Sequence, residues 1–408
     1  MRNAATRLLL SAVLAVIALL AVGGSLSGTP RWSPDGLFYQ ARVYEIRDGL
    51  SQPEALRKAF QGPLGAELRV RDPERSGSPQ WVAYNARFYE RRQTVPLVAA
   101  AIEPIAGERA ILDVSLAGYV VAVLAVFWLL VLLRFRLIAA TAATLATIFL
   151  PALTFHSGFP LTDSWGLALE IAAFGAAILV LQRGPRWLIA WAAAILLLSL
   201  TRDSMWIPVL AAGVLAVLRR SRPTIQLAAT GVAAALPAVL AIQVPMRELL
   251  AQMTNGLMPA PDTSWSEIIG RYPSAIVDLL QADGGFVRDG AWYSALYLLA
   301  GLSLLFVLAR GRRAGAAATL LKAGALIGAA YVVAVPVFSA FRLELVLVPM
   351  AAVGLCLGAE WIADRVTLPG WLPVGQARHR MTGVGVSATS RKAGPSPEVA
   401  LGDLTSVS

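Results

Sequence analysis

The chain becomes polar at Trp32-Ser33-Pro34-Asp35-Gly36-Leu37-Phe38-Tyr39-Gln40-Ala41-Arg42, directly after an apolar run at residues 8–26. A run of that length can cross the ~30 Å hydrocarbon core of a bilayer as one helix. Asp35 is therefore expected where the chain leaves the membrane, and a charged segment at residues 30–110 separates it from the next apolar run. We expect the rest of the chain to bring other polar groups to the same side of the membrane.

The composition is that of a membrane protein. Hydrophobic residues make up 57% of the chain and charged residues 15%, and the mean hydropathy is +0.64. Soluble domains are roughly one quarter charged. The net charge of +10 is concentrated in short loops and the tail, as membrane orientation requires, so we expect a lipid bilayer and no nucleic acid as partner. The single cysteine, Cys356, excludes an intrachain disulfide and a cysteine metal cluster.

The apolar runs predict an all-α polytopic protein with about ten transmembrane helices and with both termini in the cytoplasm. Short loops assigned to the cytoplasm carry two or more basic residues, and the short outer turns carry few, which agrees with the rule for membrane orientation. The predicted spans are residues 8–26, 111–133, 137–153, 165–181, two short helices within 187–218, 224–244, 292–308, 320–337 and 345–362.

The run at residues 187–218 carries Thr201-Arg202-Asp203-Ser204 near its middle. One long helix would bury two charges near the centre of the bilayer, at a cost of several kcal/mol when they are unpaired. We therefore expect a hairpin of two short helices, with its polar turn near the outer side.

The first outer loop, residues 30–110, is predicted to contain surface helices. Ser51-Gln52-Pro53-Glu54 is a capping box that starts a short helix through Phe60. Trp81, Tyr84 and Phe88 have helical spacing and predict an amphipathic helix on the membrane surface. Residues 94–106 are apolar, too short to span, and interrupted by prolines. We expect a membrane domain at 1–364 and a disordered cytoplasmic tail at 365–408.

With this topology, several ionisable residues meet on the outer side, where such groups at span ends indicate function. They are Asp35, His156, Asp163, Arg202, Asp203, Arg342 and Glu344, and Arg91 in the first loop supports them. Each also has a structural interpretation. Asp35 lies in a Pro-Asp-Gly turn sequence, Asp163 is placed to cap a helix, and His156 stands alone in its loop. Arg202 pairs with Asp203 in this interpretation, and Glu344 pairs with Arg342.

This set suits transfer from a lipid-linked phosphate donor. Guanidinium groups such as those of Arg202 and Arg342 bind phosphate oxygens in a bidentate fork. Asp35 is the candidate general base for an acceptor hydroxyl. Asp35 and Asp163 are also candidates to share a divalent cation such as Mg²⁺ or Mn²⁺.

Short motifs in the chain resemble those of the GT-C superfamily of membrane glycosyltransferases, which includes aminoarabinose transferases and protein O-mannosyltransferases. The motifs are Ser33-Pro34-Asp35-Gly36, Arg91-Arg92-Gln93-Thr94-Val95-Pro96-Leu97, Phe159-Pro160-Leu161-Thr162-Asp163-Ser164, Leu198-Ser199-Leu200-Thr201-Arg202-Asp203 and Phe341-Arg342-Leu343. The resemblance covers roughly residues 1–365. It implies a GT-C-like fold, a polyprenyl-phosphate sugar donor and inversion at the anomeric carbon. Asp35 lacks the acidic neighbour that many members have.

The leading hypothesis is a glycosyltransferase that moves a sugar from a polyprenyl-phosphate donor to an envelope glycan, lipid or protein on the extracytoplasmic face. Richness in alanine, glycine and arginine suggests a bacterial protein, so we expect it in the bacterial inner membrane. One alternative is a transporter or lipid-linked-sugar flippase without transfer chemistry. Such proteins tend to carry polar groups near the bilayer midplane on repeated halves. A third interpretation is an inert partner in an envelope complex.

Overall fold

The computed structural model describes residues 2–26, 33–62, 65–66, 69–70, 73, 79–241, 244–255, 260, 262–288, 291–310, 315–336 and 341–365. Residues 1–365 form one compact unit. Residues 366–408 of the predicted tail at 365–408, and Trp32 in the opening motif, lie outside the described residues. Within the described residues the regular structure is helical throughout, which confirms the all-α class.

Seventeen helices are named here in chain order, among the parts of the chain that the structure describes. They are α1 (Arg2–Leu26), α2 (Pro34–Asp48), α3 (Gln52–Gln61), α4 (Pro79–Tyr89), α5 (Thr94–Ala106), α6 (Ala110–Leu132), α7 (Leu137–Ile148), α8 (Pro151–Ser157), α9 (Asp163–Arg183), α10 (Leu188–Ser199), α11 (Trp206–Arg219), α12 (Arg222–Leu240), α13 (Met246–Thr254), α14 (Trp265–Arg288), α15 (Ala291–Arg310), α16 (Ala316–Ala334) and α17 (Val348–Arg365). Short 3₁₀ turns precede several of them, including Asp203–Met205 and Glu344–Leu347.

Six segments of the described chain are long and apolar enough to cross a membrane, which supports a helical membrane protein. They are Ala4–Gly23, Ala110–Leu132, Asp163–Arg183, Arg222–Leu240, Ala316–Ala334 and Glu344–Arg365. The predicted span at 137–153 is two helices, α7 and α8, bent by 56° at a short break, and this pair would make a seventh span. The remaining predicted spans correspond to α10 and α11, of 12 and 14 residues, and to α15, whose apolar stretch is Ser294–Ala309. These stretches are shorter than the six candidate spans, so the number ten stays a prediction.

The membrane core is organised around α6 and α9, which pack along each other. Their buried side chains are almost all apolar. Several of the buried polar groups form hydrogen bonds, as an apolar medium favours, whereas both carboxylate oxygens of Glu170 in α9 are buried without a hydrogen-bond partner among the described residues. Tyr119 of α6 donates its hydroxyl proton to the Ile148 carbonyl at 2.8 Å. Trp165 of α9 donates from Nε1 to the Val114 carbonyl at 2.6 Å. These bonds fix the depth at which α7 and α9 pack against α6.

The first loop contains helices α3, α4 and α5 at the positions that the sequence pattern predicts. Helix α3 begins with the predicted capping box of Ser51 and Glu54. Helix α4 forms as predicted, but Trp81 and Tyr84 are buried within the protein, so these two side chains do not face the membrane surface. The prolines do not interrupt residues 94–106, because Pro96 lies in the first turn of α5, where its missing N–H is not needed, and the helix continues through Pro104.

The polar run at 201–204 separates two short helices, α10 and α11, as the sequence predicts, and both pack on α12. The segment at residues 245–291, between the predicted spans 224–244 and 292–308, was expected to be a second outer loop. Instead it contains α13 and α14, the latter 24 residues long. The sequence analysis missed α14 because its charged residues, which lie on one face of the helix, are also typical of an exposed loop.

Candidate functional site

Asp35 lies in the first turn of α2, so the Pro-Asp-Gly sequence starts a helix and does not form a turn alone. Ser33 is the N-cap residue, and its side chain accepts a hydrogen bond from the Gly36 N–H at 3.3 Å. Pro34 at the first helical position suits a site that needs no N–H donor. A carboxylate in this turn is also favoured by the helix dipole. The local sequence therefore places the Asp35 carboxylate at the start of α2.

Gly36 lets α2 approach the segment that leads to Asp163. A Cβ atom at position 36 would lie 2.6 Å from the side chain of Pro160. Asp163 is the first residue of α9, and its side chain is 1% exposed. The N-terminal ends of α2 and α9 thus meet, which brings together two carboxylates 128 positions apart in the chain (163 − 35).

Arg342 bridges these two carboxylates. Its Nη1 atom lies 2.7 Å from Asp35 Oδ2, and its Nε atom lies 2.9 Å from Asp163 Oδ1. Tyr89 of α4 donates to the other Asp35 oxygen, Oδ1, at 2.6 Å. Arg342 immediately precedes the candidate span Glu344–Arg365, and Asp163 begins another. The bridge therefore joins the ends of two candidate spans.

Arg202 forms an ion pair with Asp163, and not with its neighbour Asp203. Its side chain runs over Gly166, where a Cβ atom would lie 2.5 Å from Arg202 Cδ. A side chain at position 166 would therefore force the arginine stem to shift. The pairing of Arg202 with Asp203 that the sequence left open is thus wrong, because Arg202 pairs with Asp163 and Asp203 pairs with arginines of the first loop.

Asp203 pairs with the first loop. Both Arg91 and Arg92 form ion pairs with it, the second at 3.5 Å. Arg92 also donates from Nη1 to the Tyr39 hydroxyl at 2.9 Å. The Tyr39 hydroxyl lies 3.1 Å from the Thr162 hydroxyl, next to Asp163 in the chain. These contacts join both halves of the site into one arginine–aspartate network, defined as Asp35, Asp163, Asp203, Arg91, Arg92, Arg202 and Arg342.

The network carries an excess of positive charge and two unsatisfied polar atoms. Four guanidinium groups face three carboxylates, which leaves one positive charge over. Among the described residues, the buried Arg92 Nε donor and the buried Asp163 Oδ2 acceptor have no hydrogen-bond partner. Buried polar atoms are almost always paired in proteins. The open Arg92 Nε donor suits an anion, and the open Asp163 Oδ2 acceptor suits a hydroxyl group beside that anion.

The ionisation of the network follows from its burial and its close ion pairs. Burial raises the pKa of Asp35, but Arg342, Tyr89 and Arg92 lower it by more, so the pKa lies below its ordinary value. Burial and the neighbouring Arg342 lower the pKa of Arg202 to about 10. Burial and Arg92 lower the pKa of Arg91 to about 10 as well. Asp35 is therefore ionised and the arginines protonated at neutral pH.

Tyr39, Tyr89, Arg92 and Thr162 belong to the site but were not identified from the sequence. One signal was available: Tyr39 lies four positions after Asp35 and so on the same face of α2. Arg92 stands beside Arg91 in a quoted motif. The position of Tyr89 depends on the packing of α4 on α2, where its ring stacks on Phe38 with centroids 4.8 Å apart. That contact joins residues 51 positions apart (89 − 38) and leaves no local pattern.

The two remaining predicted residues lie outside this set of ion pairs. His156 is buried in α8, with its ring 5.1 Å from that of Phe155. Glu344 does not pair with Arg342, as the sequence had left open, but lies within hydrogen-bonding distance of the Asp283 carboxyl group. Two carboxyl groups can share a hydrogen bond only when one of them holds a proton.

Asp283 of α14 holds the turn that carries Arg342. Its Oδ1 atom accepts a hydrogen bond from the Phe341 N–H at 2.8 Å. Phe341 has a φ of 58°, a left-handed conformation that costs free energy for a bulky residue. Asp283 therefore stabilises a strained turn beside the network, and it was missed because it stands in a segment assigned to a loop.

We expect the stability of the protein to fall as pH rises through the pKa of Asp283. Burial raises this pKa, against smaller lowering contributions from the Phe341 N–H and Glu344. An acid with a raised pKa in the folded state stabilises fully below its unfolded pKa and loses that stabilisation as pH rises through the folded pKa. Thermal unfolding from acidic to mildly alkaline pH measures this. Asp283→Asn keeps the acceptor for Phe341 and should flatten that part of the profile. An unchanged profile in the variant would contradict the assignment.

A divalent cation does not fit between Asp35 and Asp163. A guanidinium group already lies between the two carboxylates, and the network is positively charged without any metal. In the described parts of the chain, no group of three or more His, Cys, Asp or Glu side chains could hold a metal ion. We therefore assign no step to a metal at this position.

A mainly apolar cavity of about 190 Å³ begins next to the network. It lies between α7, α8, α15 and the segment that starts α17. Phe341 and Glu344, which flank Arg342 in the chain, line one part of it, and Thr147, Leu304 and Ala351 line others. The Phe341 ring stacks on Tyr297 with centroids 4.0 Å apart. An apolar space thus adjoins a cationic one.

The fold and site define a helical membrane protein with a buried arginine–aspartate network where candidate spans begin. No known protein family, curated protein or solved structure matches the chain.

Proposed function

We propose that the protein is an integral membrane glycosyltransferase. In this proposal it moves a sugar from a polyprenyl-phosphate donor to an envelope acceptor on the extracytoplasmic face of a bacterial inner membrane. The observation that carries the proposal is the Arg342 bridge between Asp35 and Asp163, within a network that has excess positive charge and open hydrogen-bonding atoms.

The donor phosphate would bind to the guanidinium groups. Arg202 and Arg342 offer paired donors in the fork geometry that matches phosphate oxygens, and Arg92 Nε is an open donor. The adjoining apolar cavity beside Phe341 would hold part of the prenyl chain. Binding of a phosphate by Arg342 would weaken its attraction to Asp35, which raises the pKa of that carboxylate and makes it a better base.

The reaction would then be a single inverting displacement. The acceptor hydroxyl oxygen forms a bond to the anomeric carbon, while the bond from that carbon to the phosphate oxygen breaks. The electron pair leaves with the polyprenyl phosphate, whose charge the arginines stabilise. Asp35 takes the hydroxyl proton. Asp163 holds Arg202 and Arg342 in place through Oδ1, and its open Oδ2 is available to accept a hydrogen bond from the acceptor.

Asp35→Asn should reduce sugar transfer by roughly 10²–10⁴-fold, the usual contribution of a general base. The amide keeps the shape of the side chain, and Arg342 keeps its contact with Asp163, so folding should survive. The measurement is transfer of radiolabelled sugar from polyprenyl-phosphate donors in membranes, at matched protein levels.

Asp48→Asn is the matched control. Asp48 lies at the other end of the same helix, in exposed ion pairs with Arg47 and Lys58, and its loss should leave transfer near the wild-type rate. Near-normal transfer by the Asp35 variant would refute its role as base. Donor binding and movement across vesicles by the wild-type protein, without transfer to any acceptor, would favour a flippase.

A further inference from the structure

Helix α14 exposes a continuous apolar stripe. Trp265, Ile269, Val277 and Leu280 are 52%, 67%, 49% and 63% exposed. At about 100° per residue, these four side chains fall within an arc of about 120° on the helix surface. An ordered stripe of large exposed apolar side chains marks a surface that meets an apolar partner.

The opposite side of α14 is polar, and a third side packs on the protein. Glu267, Arg271, Ser274 and Asp278 are all exposed, and they fall within an arc of about 60° centred roughly 150° from the apolar stripe. Ile268, Ala275 and Leu279 are buried between the two on the remaining side. A helix with separate faces of this kind suits a boundary between water and an apolar phase.

Two hydrogen bonds fix the direction of α14 relative to the candidate spans. Tyr272 donates its hydroxyl proton to the Val333 carbonyl at 2.8 Å, near the C-terminal end of the candidate span Ala316–Ala334. Asp283 accepts from the Phe341 N–H at 2.8 Å, just before the candidate span Glu344–Arg365. Consecutive spans end and begin on the same side of a membrane, so both contacts lie at one membrane boundary.

The two contacts are 11 positions apart along the helix (283 − 272). At 1.5 Å per residue this separation is about 16 Å. A helix that touches one boundary at two points so far apart runs along that boundary and does not cross it. The boundary is the one at which the arginine–aspartate network lies, since Phe341 adjoins Arg342.

We propose that α14 is an interfacial helix whose stripe of Trp265, Ile269, Val277 and Leu280 lies in the lipid of the leaflet next to the network. The polar face of Glu267, Arg271, Ser274 and Asp278 is directed to water. The partner is the lipid bilayer, at the boundary between headgroups and acyl chains. This inference does not depend on the proposed transferase activity.

The test is a depth measurement by spin labels. The natural Cys356 is fully buried and is replaced by alanine, and single cysteines are introduced by Ile269→Cys and Leu280→Cys on the stripe. Ser274→Cys and Asp278→Cys are matched controls on the polar face. The full chain is reconstituted in vesicles of phosphatidylcholine and phosphatidylglycerol. Relaxation of each label by oxygen, which enters lipid, is compared with relaxation by a water-soluble nickel complex.

We expect the ratio of oxygen to nickel relaxation to be at least about threefold higher at positions 269 and 280 than at 274 and 278, as for a helix lying in the interface. Equal ratios at all four positions would overturn the proposal, because the stripe would then face water. Labels at 269 and 280 that are shielded from both reagents would also overturn it, since protein and not lipid would cover the stripe. The two stripe positions are tested in separate variants, so if one variant does not fold, the other still tests the proposal.

Discussion

Arg342→Lys should lower sugar transfer on the order of 100-fold, because one ammonium group cannot reproduce a guanidinium fork that holds two carboxylates and a phosphate. Arg342 uses Nη1 for Asp35 and Nε for Asp163, so its two contacts come from different atoms of one planar group. Lysine keeps the positive charge and should preserve folding. The measurement is the transfer rate in membranes at matched protein levels, with donor concentration varied to separate binding from turnover.

Arg136→Lys is the matched control for this change. Arg136 forms an ion pair with Asp364 at 2.9 Å, but both side chains are 60% exposed. Exposed pairs of this kind contribute about 0–1 kcal/mol, so this variant should transfer sugar at the wild-type rate. Equal activity of the two lysine variants would show that the Arg342 fork has no part in the reaction.

Asp163→Asn should destabilise the protein by about 3–5 kcal/mol, the cost of leaving a buried charge without its partner. Asp163 is 1% exposed and pairs with both Arg202 and Arg342. Its loss leaves Arg202, itself 11% exposed, without the carboxylate that it contacts. The measurement is the fraction of purified protein that stays monodisperse after heating, together with its free energy of unfolding in mixed detergent.

Asp113→Asn serves as the control for stability. Asp113 pairs with Arg109 at 3.7 Å, with both side chains at least 40% exposed, and it should cost no more than about 1 kcal/mol. Comparison with Asp35→Asn separates the catalytic role of Asp35 from the stabilising role of Asp163. The Asp35→Asn variant should lose transfer and keep its stability. If Asp163→Asn is as stable as Asp113→Asn, the buried network does not hold the span ends together.

Much of the fold could be predicted from local patterns. The capping box at Ser51 and the apolar length of residues 111–133 act through neighbouring residues, so the sequence indicates their helices directly. Helix α14 was missed because its apolar residues alternate with charges over several turns. The bend between α7 and α8 was missed because Pro151 was counted inside one apolar run, although proline restricts the residue before it.

Six of the seven charged residues of the network could be predicted from the sequence, but Arg92 and the pairing of the charges could not. Asp35, Asp163 and Arg342 stand at the ends of apolar runs and Arg202 interrupts one, and these positions single them out. The sequence suggested pairs between chain neighbours, such as Arg202 with Asp203. The structure pairs Arg202 with Asp163 and Asp203 with Arg91.

The sequence by itself determined the helical membrane class and most of the charged residues of the network, because apolar length and the cost of intramembrane charge act on each segment separately. Only the tertiary structure decided which carboxylate each arginine contacts, that Tyr39, Tyr89 and Arg92 complete the network, and that α14 runs along the span ends. Those features depend on which helix ends meet. The close contacts at Gly36 with Pro160 and at Gly166 with Arg202 bring those ends together from distant parts of the chain.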